Sequence, residues 1–85
     1  MDVYELICKL KEIGVPEDYY SVLVGGLPNE KLCIVKTQSE KWEVYYSERG
    51  ARSGIKLFDS EADACEYFLK KMQKYAQKGI VDYNA

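Results

Sequence analysis

The residue types that usually carry enzymatic chemistry are sparse in this sequence. The chain has no histidine, so it lacks the commonest general base near neutral pH and the commonest zinc ligand. Adjacent acids occur at Glu17 and Asp18, directly after Pro16. A hydrolytic site needs two carboxylates held across a cleft in different environments, which adjacent acids in a turn do not provide. The sequence therefore predicts a protein that is not an enzyme.

Neither the cysteines nor the glycines form a cofactor or metal motif. The three cysteines are widely spaced and contain no C-x-x-C pair, which argues against a disulfide framework and a zinc site. We expect Cys8, Cys33 and Cys65 to be small buried apolar residues. The pair Gly25-Gly26 lacks the spacing and the lysine of a phosphate-binding loop. The sequence thus predicts no metal site and no cofactor.

The composition is that of one globular domain spanning residues 1–85. Apolar residues make up 47% of the chain and charged residues 31%, which suffices for a single thin core. No stretch approaches the ~20 apolar residues that cross a bilayer. Asp2 and Glu5 stand where a secretory signal carries basic residues. We therefore expect a cytoplasmic protein without membrane contact.

The apolar spacing predicts a helix at each end of the chain. Residues 2–13 repeat apolar side chains with helical periodicity, with Asp2 as the N-cap and Gly14 as the stop. The second helix begins after Ser60 and carries a broad apolar stripe. Residues 79–85 are expected to form a loose tail.

Alternating and β-branched stretches predict the strands between these helices. Their expected positions are residues 19–24, 31–37, 41–47 and 54–58. In the last of these, we expect Ile55 and Leu57 to face the core. The predicted fold is α+β: a three- to four-stranded antiparallel sheet, a meander, with the N-terminal and C-terminal helices packed on one face.

One face of this sheet is expected to lie open to a partner. Alternation along the third strand places Trp42 and Val44 on the core side and Glu43 and Tyr45 on the other. Tyrosine offers a large, rigid, amphipathic contact surface, and the chain has eight tyrosines. The open face is therefore predicted to be a mixed charged and aromatic patch, although such a face can also be simply solvated.

Nucleic-acid binding is an alternative, because double-stranded RNA-binding domains share the order helix, meander, helix. Those domains hold phosphates with lysines at the start of the last helix. This chain has the acidic stretch Ser60-Glu61-Ala62-Asp63 there, and its net charge is −2. Counterion release contributes little to the affinity of such a chain, so we expect no nucleic-acid partner.

Residues 42–69 resemble small immunity proteins of bacterial polymorphic toxin systems. The resemblance lies in three stretches, Trp42-Glu43-Val44-Tyr45-Tyr46-Ser47-Glu48-Arg49-Gly50, Phe58-Asp59-Ser60-Glu61 and Ala64-Cys65-Glu66-Tyr67-Phe68. It implies an antidote that binds a cognate toxin domain, commonly a nuclease, and blocks it without catalysis. Residues 1–30 hold six acids and two lysines, and this acidic third suits a basic nuclease surface.

The expected partner contacts come from exposure and alternation. The candidate set is Glu17, Asp18, Tyr19, Tyr20, Glu43, Tyr45, Glu48, Arg49 and Arg52. The turn Glu48-Arg49-Gly50 serves either as a contact or as a fixed loop geometry, and a structural ion pair from Glu48 to Arg49 or Arg52 is an equal alternative. A general protein-interaction or regulatory module is the second functional hypothesis.

Overall fold

A computed structural model, which describes residues 1–77, contains two α-helices and a four-stranded sheet. Both helices lie on the same face of the sheet. The elements are α1 (Val3–Glu12), β1 (Tyr20–Val22), β2 (Lys31–Lys36), β3 (Trp42–Glu48), β4 (Ala51–Phe58) and α2 (Glu61–Met72). Short 3-10 helices, Glu17–Tyr19 and Gln73–Tyr75, precede β1 and follow α2. The α+β prediction is confirmed, and the predicted tail, residues 79–85, lies outside the described residues.

The strand order is β1-β2-β3-β4, and β2, β3 and β4 form the predicted antiparallel meander. β1 differs from the expectation, because it pairs with β2 in parallel, with Tyr20 opposite Leu32 and Val22 opposite Ile34. Parallel neighbours need a connection that crosses the sheet. Residues 23–30 make that crossing, which turns the expected antiparallel sheet into a mixed one.

The beginnings of the two helices are fixed by side-chain caps and by each other. The Asp2 carboxylate accepts a hydrogen bond from Glu5 N at 2.8 Å, and the Glu5 side chain accepts one from Asp2 N. The Ser60 hydroxyl caps α2, as predicted. The Glu61 carboxylate also accepts a hydrogen bond from Val3 N at 2.9 Å. The first turn of α2 therefore satisfies a donor at the start of α1.

The core lies between the helices and the inner face of the sheet. Its buried members are Val3, Leu6 and Leu10 of α1, Ala64, Cys65, Phe68 and Met72 of α2, and Val15, Tyr20, Leu32, Ile34, Trp42 and Val44 of the remaining chain. Trp42 and Val44 are on the predicted side of β3. The α2 stripe also packs as its periodicity predicts.

The prediction that Ile55 and Leu57 face the core is wrong. A β-bulge opposite Tyr45 inserts one extra residue into β4 and reverses the alternation beyond it. Without the bulge, the hairpin register places Ile55 opposite Val44 on the core side. With it, Leu57 pairs with Glu43 on the other face, and Phe58 packs against the core instead.

Candidate functional site

The face of the sheet that points away from the helices, the outer face, brings together Glu43, Tyr45 and Arg52. Arg52 lies with its guanidinium carbon 4.3 Å from the centre of the Tyr45 ring. Its Nη2 atom is also 2.5 Å from Glu43 Oε1. A guanidinium can stack on a ring and pair with a carboxylate at the same time. Three residues of the sequence-derived set therefore form one cluster with a defined geometry.

Tyr45 is buried, contrary to the expectation that it is exposed on an open face. The crossing connection covers it, and its hydroxyl donates a hydrogen bond of 2.7 Å to the carbonyl oxygen of Gly26. Only 3% of the residue is accessible, and Ser47 on the same face of β3 is buried as well. Tyr45 therefore packs beneath Arg52 and the connection. A partner would contact these covering groups and not Tyr45 itself.

The connection and β4 place exposed apolar side chains on both sides of this cluster. These side chains are Leu23, Val24 and Leu27 of the connection, and Ile55 and Leu57 of β4. Val24 is 82% exposed and Leu57 is 61% exposed. The three connection residues line a shallow depression together with Tyr45 and Arg52. We call the five apolar residues with Glu43 and Arg52 the outer-face patch.

Leu23 holds its exposed side chain at a conformational cost. Its φ of 67° lies in the left-handed region, which a bulky residue rarely adopts. Its N–H donates a hydrogen bond of 2.8 Å to Ile34 O, which fixes the residue at the end of β1. Such a conformation costs on the order of 1 kcal/mol and is concentrated at functional sites. The strain therefore agrees with a binding role for this part of the outer-face patch.

Burial and raised thiol pKa values make two of the three cysteines poor nucleophiles. Burial raises the pKa of the Cys33 thiol, which lies opposite Tyr45, and raises the pKa of Cys65 in the core to about 11. Burial also raises the pKa of the Tyr45 hydroxyl, and the neighbouring Cys33 adds to this shift. Both thiols are therefore protonated near neutral pH and pack as apolar groups, as predicted. Cys8 is exposed, so the prediction of its burial is wrong.

The acidic pair Glu17 and Asp18 lies away from the outer-face patch, in the 3-10 turn before β1. The Glu17 carboxylate is 3.6 Å from Lys11 Nζ, and Lys31 Nζ donates a hydrogen bond of 3.1 Å to the Asp18 carbonyl oxygen. Other acids of the N-terminal third cap α1 or pair with lysine. Two of the six acids of residues 1–30, Glu12 and Glu17, thus pair with lysines of the chain, whereas the hydrogen bond at Asp18 involves only its backbone.

Tyr19 and Tyr20 separate because the chain changes from a turn to a strand between them. Tyr19 is exposed and packs edge-on against Tyr75, with ring centres 5.0 Å apart. Tyr20 is buried in the core, so it is not an exposed contact as the sequence suggested. Burial raises the pKa of its hydroxyl, and the nearby charge of Glu17 raises it further.

Glu48 and Arg49 belong to the β3–β4 hairpin. Arg49 and Gly50 have φ values of 55° and 75°, which is the geometry of a two-residue type I′ turn. The Arg49 N–H also donates a hydrogen bond of 3.2 Å to Asn29 Oδ1. These observations favour the fixed-loop interpretation of this turn. In residues 1–77 the ion-pair partner of Arg52 is Glu43, not Glu48.

Sequence reasoning missed a second concave region, which lies on the helix side of the sheet. Its lining includes four tyrosines, Tyr19, Tyr46, Tyr67 and Tyr75. Lys71 and Lys74 of the C-terminal segment and Glu30 form its charged rim, and its volume is about 400 Å³. We call it the tyrosine groove. The helical spacing of Tyr67, Lys71 and Lys74 is the one sequence pattern that could have indicated the tyrosine groove. The other residues of the groove come from distant parts of the chain.

The hydrogen bond from Tyr45 to Gly26 leads to a stability prediction. Tyr45→Phe is expected to lower the free energy of unfolding by about 1 kcal/mol, because the carbonyl oxygen of Gly26 loses its partner. Urea denaturation measures this change, and hydrogen exchange should be faster in residues 23–28. Tyr4→Phe on the exposed side of α1 is the control and should change stability by less than about 0.5 kcal/mol. Equal effects of the two substitutions contradict the assigned hydrogen bond.

Residues 1–77 contain no cluster of three or more side chains able to hold a metal ion. None of the helices in this part of the chain is long and apolar enough to span a membrane. Comparison with known proteins finds no matching family model, no matching curated protein and no matching solved structure.

Proposed function

We propose that this chain acts without catalysis, by binding a partner protein through the outer-face patch. The observation that carries the proposal is the make-up of that patch, in which the Arg52–Glu43 pair stands between two groups of exposed apolar side chains. Interface cores combine apolar residues with arginine and aromatic anchors. Exposed apolar patches with a polar surround often mark protein–protein interaction sites.

Two parts of the patch, Arg52 and the connection, are also held by contacts within the chain. Arg52 is held by the Tyr45 ring below it and by the Glu43 carboxylate beside it. The connection is held by the hydrogen bond from Tyr45 to Gly26 and by that from Leu23 to Ile34. A surface ordered in advance loses less conformational entropy on binding, so more of its contact energy contributes to affinity.

We further propose that the partner is a toxin domain and that the chain is its immunity protein. The support is the resemblance of residues 42–69, whose first matching stretch, residues 42–50, contains Glu43 of the patch and Tyr45 beneath it. An antidote needs tight stoichiometric contact and no catalytic residues. A general protein-interaction module is the second candidate, because the same patch suits other protein partners.

Co-expression with the product of the adjacent gene tests the proposal. We expect that product to arrest growth when expressed alone, and we expect this chain to restore growth. Calorimetry on the purified pair should give one-to-one binding with a nanomolar Kd, which corresponds to roughly −12 kcal/mol. A toxic neighbour that this chain neither binds nor neutralises contradicts the antidote proposal. A tight complex with a non-toxic neighbour supports the general interaction module instead.

A further inference from the structure

A second interaction surface follows from the position of β4. It is the last strand of the sheet in the described part of the chain, and seven of its eight residues are exposed. The outer edge of a terminal strand presents backbone donors and acceptors to solvent. Extended peptides bind to such edges by adding a strand, with their alternate side chains filling neighbouring pockets.

The tyrosine groove lies directly beside this edge. Ser53 and Gly54 of β4 line one side of it, and Tyr67 and Lys71 of the α2 side line the other. A strand added to β4 therefore directs every second side chain towards the groove. The remaining side chains of that strand point to the outer face, next to Ile55 and Leu57.

Charge indicates which segment fits. Lys56 Nζ and Lys71 Nζ lie 6.0 and 5.5 Å from the centre of the Tyr67 ring, and Lys74 Nζ lies 5.2 Å from that of Tyr75. Glu30 is the acid among the residues that line the groove. Three ammonium groups over aromatic rings favour carboxylate and aromatic side chains in an incoming strand.

We infer that β4 and the tyrosine groove bind an extended acidic segment of a partner protein by strand addition. In this segment, acidic or aromatic residues that face the groove alternate with apolar residues that face Ile55 and Leu57. A second copy of this chain fits poorly, because pairing two β4 strands brings Lys56 of each copy to the same face of the sheet, where like charges repel. The inference does not depend on the proposed antidote function.

Titration of a synthetic peptide into the isotope-labelled full chain tests the inference. The probe is acetyl-Ile-Glu-Val-Tyr-Ile-Asp-Val-amide, and the matched peptide has lysine in place of its two acids. We expect NMR shift changes in β4 and along the groove, with a Kd on the order of 0.1 mM for the acidic peptide. The lysine peptide should bind much more weakly.

Two charge reversals on neighbouring residues of α2 complete the test. Lys71→Glu, at the rim of the groove, should weaken acidic-peptide binding by about fivefold or more. Lys70→Glu is the matched control, since Lys70 is also exposed but does not line the groove. No binding of the acidic peptide overturns the inference. It is equally overturned by shift changes confined to the connection residues Leu23, Val24 and Leu27, or by equal effects of the two reversals.

Discussion

Replacing Phe68 by alanine is expected to lower the free energy of unfolding by about 3 to 5 kcal/mol. The ring is completely buried at the centre of the core, where α2 packs against the sheet. The substitution removes the transfer energy of the ring and leaves a cavity that neighbouring side chains fill only in part. A domain of this size typically has about 5 to 15 kcal/mol of stability in total. The variant should therefore be marginal at room temperature.

Urea denaturation, followed by circular dichroism, measures this loss. Phe58→Ala is the matched control, because Phe58 belongs to the same core but is only partly buried, with its ring centre 5.2 Å from that of Tyr67. The control should lose clearly less stability than Phe68→Ala, because Phe58 buries less apolar surface on folding than Phe68 does. Equal losses contradict the placement of Phe68 at the centre of the core.

The parts of the fold that depend on local chemistry could be predicted from the sequence. Asp2 and Ser60 cap the helices as expected, because a cap needs only a short side chain a few residues before the donors it satisfies. Trp42 and Val44 of the third strand lie on the core side as predicted, because the charged Glu43 between them sets the alternation. These signals are contained within a few residues of the chain.

The parts that depend on distant segments could not be predicted. The orientation of Ile55 and Leu57 depends on a bulge at Gly54, whose φ of 61° lies in the left-handed region that favours glycine. A glycine in a strand permits such a bulge, but the pairing with β3 decides whether one forms. The burial of Tyr45 depends on residues 23–28 crossing the outer face, which follows from the parallel pairing of β1 with β2. A pattern of alternation shows which side chains share a face, but it does not show what covers that face.

The candidate site shows the same division. Glu43 and Tyr45 share one face by strand alternation, as predicted, whereas Arg52 lies outside the predicted strands and the only specific pairing expected for it is an ion pair with Glu48. The structure instead places Arg52 against both Glu43 and Tyr45. The sequence prediction places Ile55 and Leu57 in the core, so it missed the β4 part of the apolar surface. The tyrosine groove was missed because its tyrosines come from separate segments that the fold brings together.

The proposed binding face leads to the prediction with the largest functional effect. The double substitution Val24→Asp and Leu57→Thr should weaken binding of the co-expressed partner by about a hundredfold or more, equivalent to about 2.7 kcal/mol. The two residues lie on opposite sides of the Arg52–Glu43 pair, and most of each side chain is exposed in the free chain. A bound partner has to desolvate the new carboxylate, and it loses apolar contact at the threonine.

Stability separates this effect from misfolding. Because both positions are exposed, the free energy of unfolding of the double variant should differ by no more than about 1 kcal/mol from that of the unaltered chain. Tyr4→Asp is the control for adding an acid at an exposed aromatic site, since Tyr4 is 73% exposed on α1, in the helical layer behind the sheet. It should leave the affinity for the partner unchanged. If Tyr4→Asp weakens binding and the double variant does not, the partner contacts the helical layer and the outer-face patch is not its binding site.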